Sequence, residues 1–117
     1  MFVALIVVTV LLAAVCVSSA SLKLRKKEQA VAVIHGIVGV PLRIFPVLAG
    51  LELAGAAGIL LGLWLEPLGI AAAAGLVAYF VGAVIGHLRV RDTKNLVMPL
   101  PPLALSIAVL VLRLVTL

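Results

Sequence analysis

The chain has 117 residues, 66% of them hydrophobic and 11% charged, with a mean hydropathy of +1.43. A water-soluble domain of that size needs far more polar residues to cover its surface, so the composition excludes one and makes lipid the solvent. The net charge of +5 would point a soluble protein toward nucleic acid, but here the basic residues flank apolar runs. That placement excludes nucleic acid as a partner and implies anionic lipid headgroups instead.

Four continuous apolar runs follow one another: Phe2–Ala20, Val47–Leu65, Leu68–Leu88 and Pro101–Leu117. Each is near the roughly 20 residues that carry a helix across about 30 Å of hydrocarbon. Barrel strands, which alternate over about ten residues, do not suit such runs. The expected fold is an all-α membrane protein, one domain over residues 1–117 built as a four-transmembrane-helix bundle.

No basic residue precedes the first run, and its positive charges follow it, so it reads as a retained span and not as a secretion signal. Cys16 has Val15 before it, which does not suit a lipoprotein cleavage site. A single cysteine forms no intrachain disulfide and supplies no redox pair, so Cys16 reads as a small packing residue. Ser18, Ser19 and Lys23 suggest a serine–lysine nucleophile. Small residues before a basic membrane boundary explain them better.

Between the first and second spans, "EQAVAVIHGIVGV" places Glu28, Ala32, His35 and Gly39 on one face at helical spacing, with apolar residues around the rest. That pattern predicts a short interfacial or re-entrant helix over Glu28–Val40. Pro41 should end it, and Pro46 should start the second span. Within that span Gly50, Ala54, Gly58 and Gly62 recur every four residues, a ridge that lets helices approach closely. Glu52 lies on another face, since two residues turn a helix by about 200°.

"LEPLG" is so short that the second and third helices must be antiparallel neighbours. The third helix carries Gly75, Gly82 and Gly86, and the last helix begins after Pro99, Pro101 and Pro102. Folding at residues 65 and 66 brings Glu52 to the depth of Tyr79, with His87, Arg89 and Lys23 further toward the same end. A carboxylate inside the membrane needs a partner; Arg89 and Lys23 are the expected cations, with His87 close by. Such a cluster is either structural glue or the polar floor of a ligand cavity. His35, His87 and Glu52 lack ligand spacing, so no metal site is expected. A proton relay through Glu52 and His87 has too few protonatable groups to continue to the other face. Eight of the nine basic residues lie in the loops on one side, against Arg113 on the other. Both termini should therefore lie on the non-cytoplasmic side of a bacterial-type inner (plasma) membrane.

In order and spacing these motifs resemble the DoxX-like family of small four-helix bacterial membrane proteins. The features are a small residue three positions before "KL" at Lys23 and Leu24, "LELAGAAGILLG" around Glu52, and "GAVIGHLRVRD" around His87, Arg89 and Asp92. The proline-rich start of the last helix extends the resemblance over nearly the whole chain. Lys23, Glu52, His87 and Arg89 match the polar positions that recur in the family. The resemblance implies a bundle linked to redox partners, with a quinone as the implied cofactor and quinone-coupled oxidation of sulfur compounds among the activities. The lone Cys16 departs from anything that needs a dithiol. No cofactor motif is present, so the chain is not expected to act as an enzyme on its own. The first functional reading is an accessory protein that holds a quinone-like or lipid ligand near Glu52 and supports a membrane redox protein. The second is an assembly or chaperone-type protein whose glycine ridges dock other helices, or a second copy of the chain, around a purely structural polar cluster.

Overall fold

The computed structural model describes residues 2–25, 28 and 31–115, and every regular element among them is helical. The main helices are α1 (Phe2–Leu24), α2 (Phe45–Leu61), α3 (Glu66–Arg89) and α4 (Leu100–Val115). Phe2–Leu24, Leu42–Leu61 and Glu66–Arg89 are each long and apolar enough to cross a membrane, whereas the apolar α4 is shorter at 16 residues. With these helices the chain is a membrane protein.

Neither glycine nor proline interrupts α1, which runs past the expected end at Ala20 because Lys23 turns inward to a partner and not outward to headgroups. Pro46 and Pro67 sit in the first turns of α2 and α3, where a missing N–H breaks no helical bond. α2 ends at Leu61, four residues before the expected Leu65, and residues 62–65 form the reversal. The cause is close approach. A Cβ added at Gly62 would lie 2.3 Å from the Gly69 Cα, so the two backbones already touch there.

α1 packs on α2 and α4, and α3 packs on the same two, which closes a four-membered ring. Lys23, Glu52 and Tyr79 meet at one end, and Gly62, Gly69 and Arg113 meet at the other. Neighbouring helices are therefore antiparallel. The shared core is small: Leu12 and Cys16 from α1, Ile59 from α2, Leu76 and Phe80 from α3, and Val109 from α4. Val7, Leu11, Leu53, Val81, Ile85 and Val111 face outward, an apolar exterior that only lipid tolerates over so wide an area. The long dimension of 42 Å matches a bilayer of about 40–45 Å with its headgroups. At the α2–α3 reversal Trp64 stands 79% exposed.

The glycine ridge differs from the expected one. Close contacts between α2 and α3 come from Gly55 against Leu76, Gly58 against Ala72, and Gly62 against Gly69, while Gly50, Gly75 and Gly82 face open space. The contact row runs along one edge of α2, and Gly50 lies off it. In its described part, the predicted helix over Glu28–Val40 is looser than expected. A π-helical segment spans Val31–Ile37, and Gly39 (φ 89°) ends it two residues before Pro41. Glu28, Ala32 and His35 are exposed and Val33 is buried, but the apolar Ile37 is exposed as well. Lys26, Lys27, Gln29 and Ala30 lie outside the described residues.

α3 stops in a two-bond motif. Arg91 adopts φ 58°, its N–H donates to Leu88 O at 3.0 Å, and the Asp92 N–H donates to His87 O at 2.9 Å. This left-handed stop is usually made by glycine and sealed by an apolar contact across it. Here the seal is polar, between His87 and Asp92.

Candidate functional site

Ser19 and Lys23 lie one turn apart on the inner face of α1, and Glu52 faces them from α2. Glu52 is fully buried and Lys23 is 7% exposed. The Lys23 ammonium donates to Glu52 Oε1 and also to Ser19 Oγ at 2.6 Å. Ser19 Oγ donates onward to Oε1 at 3.2 Å, and the Tyr79 hydroxyl donates to the same oxygen at 3.0 Å. Three donors therefore converge on Oε1. Oε2, equally buried, has no hydrogen-bond partner among the described residues. Cys16, fully buried, lies one turn before Ala20 on the same face of α1.

A buried ion pair of this kind tolerates the low dielectric because each charge compensates the other, with further hydrogen bonds from Ser19 and Tyr79 to Oε1. An ammonium held by a carboxylate does not take a proton from a serine, so Ser19 and Lys23 form a binding arrangement and not a nucleophile with its base. Tyr79 is fixed by an edge-to-face contact with Phe80, with ring centroids 5.0 Å apart and planes at 86°.

Tyr79 also lines a groove of about 610 Å³ on the outer seam of α2 and α3, with Leu51, Gly55, Gly58, Ala72 and Leu76 among its walls. The small residues that let the two helices touch are the ones that hollow this seam. Tyr79 thus has its ring beside an apolar, lipid-facing groove and its hydroxyl on a buried carboxylate.

His87 and Arg89 do not join Glu52. His87 is buried, and its Nδ1 meets Asp92 Oδ2 at 2.8 Å, while Asn95 Nδ2 donates to both Asp92 oxygens at 2.9 and 3.1 Å. Some desolvation raises the Asp92 carboxyl, but hydrogen bonds from His87 and Asn95 and the charge of the imidazole hold it below the ordinary carboxylate range. Arg89 is exposed, two residues and more than half a helical turn away from the inward face that His87 occupies. Asn95 is the polar residue that the reading of the sequence missed, and Ser19, set aside there as a small boundary residue, joins the Glu52 cluster. Their signals were local: Ser19 precedes Lys23 by four, and Asn95 follows Asp92 by three. Among the described residues no three of His, Cys, Asp and Glu gather as a metal centre would require.

Among curated proteins and among solved structures, none matches the chain. The sequence profile of one family does, over residues 7–109, a stretch that holds Ser19, Lys23, Glu52, Tyr79, His87 and Asp92 alike. The chain belongs to the DoxX-like family.

Proposed function

We propose that the chain is a small membrane binding protein that holds a quinone-like or lipid amphiphile and supports a membrane redox partner. One observation carries this reading: the apolar groove of about 610 Å³ borders Tyr79, whose hydroxyl is bonded to the buried Glu52. Ligand sites of about 300–1,000 Å³ with mostly apolar walls and a few fixed polar groups are the usual pattern. The tail lies along Leu51, Gly58 and Ala72, and the head turns in at Tyr79. The partner supplies the redox chemistry, and the chain supplies binding and orientation.

In this reading all four helices cross a bacterial-type inner membrane as one domain, with Val31–Ile37 in the cytoplasmic interface. Arg25, Arg43, Arg89, Arg91 and Lys94 gather anionic headgroups on that side. The exposed Trp64 belongs to the opposite interface, where aromatic side chains are favoured.

Native mass spectrometry of the chain released from mild detergent tests the binding. Wild type should carry a small molecule that extracts into organic solvent. Gly75→Leu should not, because Gly75 lines the groove and a Cβ added there meets nothing within 4 Å, so the longer side chain extends into the groove. A bare chain in both cases, or one joined to another membrane protein, would overturn the proposal. The second outcome would favour the assembly reading, which the exposed small residues Ala71, Gly75 and Ala78 support.

A further inference from the structure

Across the α2–α3 seam Gly62 meets Gly69, Gly58 meets Ala72, Gly55 meets Leu76 and Glu52 meets Tyr79. Each step back along α2 is matched by a step forward along α3. Continued in that register, the pairing sets Arg43 level with Leu88 and Arg89. A second contact agrees: a Cβ added at Gly86 would meet Val38 at 3.3 Å, so the segment leading to Arg43 crosses α3 one turn before Arg89. Both arginines are exposed, and neither has an ion-pair partner among the described residues. Asp92, close in sequence to Arg89, is taken by His87 and Asn95. Between the arginines and the groove the seam is open. Gly50 and Gly82 face open space, exposed Val47, Val81 and Ile85 border it, and Val38 floors it at Gly86. Arg89 lies seven residues beyond Gly82, hence within about 20° of the same face and about 10 Å further along the helix. Arg43 precedes Gly50 by seven residues as well. Two uncompensated cations thus stand over one end of an apolar slot.

We infer that this slot holds one anionic glycerophospholipid, with its phosphate between Arg43 and Arg89 and one acyl chain over Gly50 and Gly82. The site is separate from the groove at Tyr79 and goes beyond the binding reading above. Guanidinium groups present their N–H donors as a fork that matches phosphate oxygens two at a time. A phosphate without a tail satisfies the arginines but leaves the slot uncovered. A zwitterionic lipid brings a third cation against the two already there. Loose attraction to basic loops treats Arg91 and Lys94 like Arg43 and Arg89; a built slot does not.

The test is native mass spectrometry of the full chain, stripped of lipid in mild detergent and titrated with phosphatidylglycerol or phosphatidylcholine. Wild type should take one phosphatidylglycerol per chain and hold it more tightly than phosphatidylcholine. Arg43→Gln and Arg89→Gln should each weaken it about tenfold, the size expected for hydrogen bonds between charged groups. Gly82→Leu should displace it by filling the slot with both arginines in place. Arg91→Gln, Lys94→Gln and, in the groove, Gly75→Leu should bind it as wild type does. All six positions are exposed, so the variants keep the fold, and a melt of each checks that. Equal losses in Arg43→Gln and Arg91→Gln would mean diffuse attraction and overturn the site. Retention in Gly82→Leu would overturn the slot. Loss in Gly75→Leu would make the lipid the groove's own ligand and overturn the separate site, whereas a groove that binds nothing leaves this site standing.

Discussion

Glu52 and Lys23 depend on each other more than on any other neighbour, because each is a charge with almost no access to solvent. Glu52→Gln keeps shape and strands the ammonium; Lys23→Gln strands the carboxylate. Removal of one partner from a buried pair typically costs about 3–5 kcal/mol, so both variants should melt at clearly lower temperature in detergent. The double variant should lose less than the two losses added together, since the interaction can be lost only once. Arg89→Gln should melt within about 0.5 kcal/mol of wild type, as substitutions at unengaged exposed positions do. The contrast shows what was legible. The depth of Glu52, Tyr79 and Lys23 follows from the position of the helix reversal, and the three do meet. Depth alone did not separate His87 from Arg89. Two residues rotate a helix by about 200°, so only one of them could face inward, and Asp92, brought back by the left-handed stop at Arg91, took the imidazole.

At the scale of elements, two seams test the packing. Gly62→Ala would press a methyl group into the Gly69 backbone and should destabilise by about 1–3 kcal/mol, the usual cost of overpacking. Gly50→Ala meets nothing within 4 Å and should be neutral or stabilising by up to about 1 kcal/mol through helix propensity. Thermal melts of both variants would decide. A fall for Gly50→Ala and none for Gly62→Ala would mean that the helices meet along the other row. At the end of α3, Arg91→Gly should relieve the left-handed strain and raise stability by about 1 kcal/mol. Asp92 sets a pH dependence there. Its carboxyl is held below the ordinary range, so its contribution is complete above the ordinary carboxylate pKa and is lost as pH falls through the lowered value. The melting difference between wild type and Asp92→Asn should accordingly shrink in acid. The existence of the four apolar helices was legible because runs of apolar residues determine it. Their ends were less so, since Gly62 and Lys23 are placed by contacts with other helices.

For the molecule as a whole, the proposed orientation rests on the distribution of charge. Cysteine placed at Glu66 should react with an impermeant thiol reagent from outside intact cells, and cysteine at Lys94 should not; the reverse pattern would invert the proposed topology. The native Cys16, with no exposed surface, leaves the background silent. The reversal between α2 and α3 has a further use. Trp64 is the only tryptophan in the chain, and it projects from one end of the bundle, opposite the Glu52 centre. The protein thereby carries its own depth gauge. In vesicles of uniform orientation, lipids brominated near the headgroup should quench its emission more than lipids brominated near the bilayer centre. Iodide added to one compartment only should then report which way round the chain sits, with no label introduced.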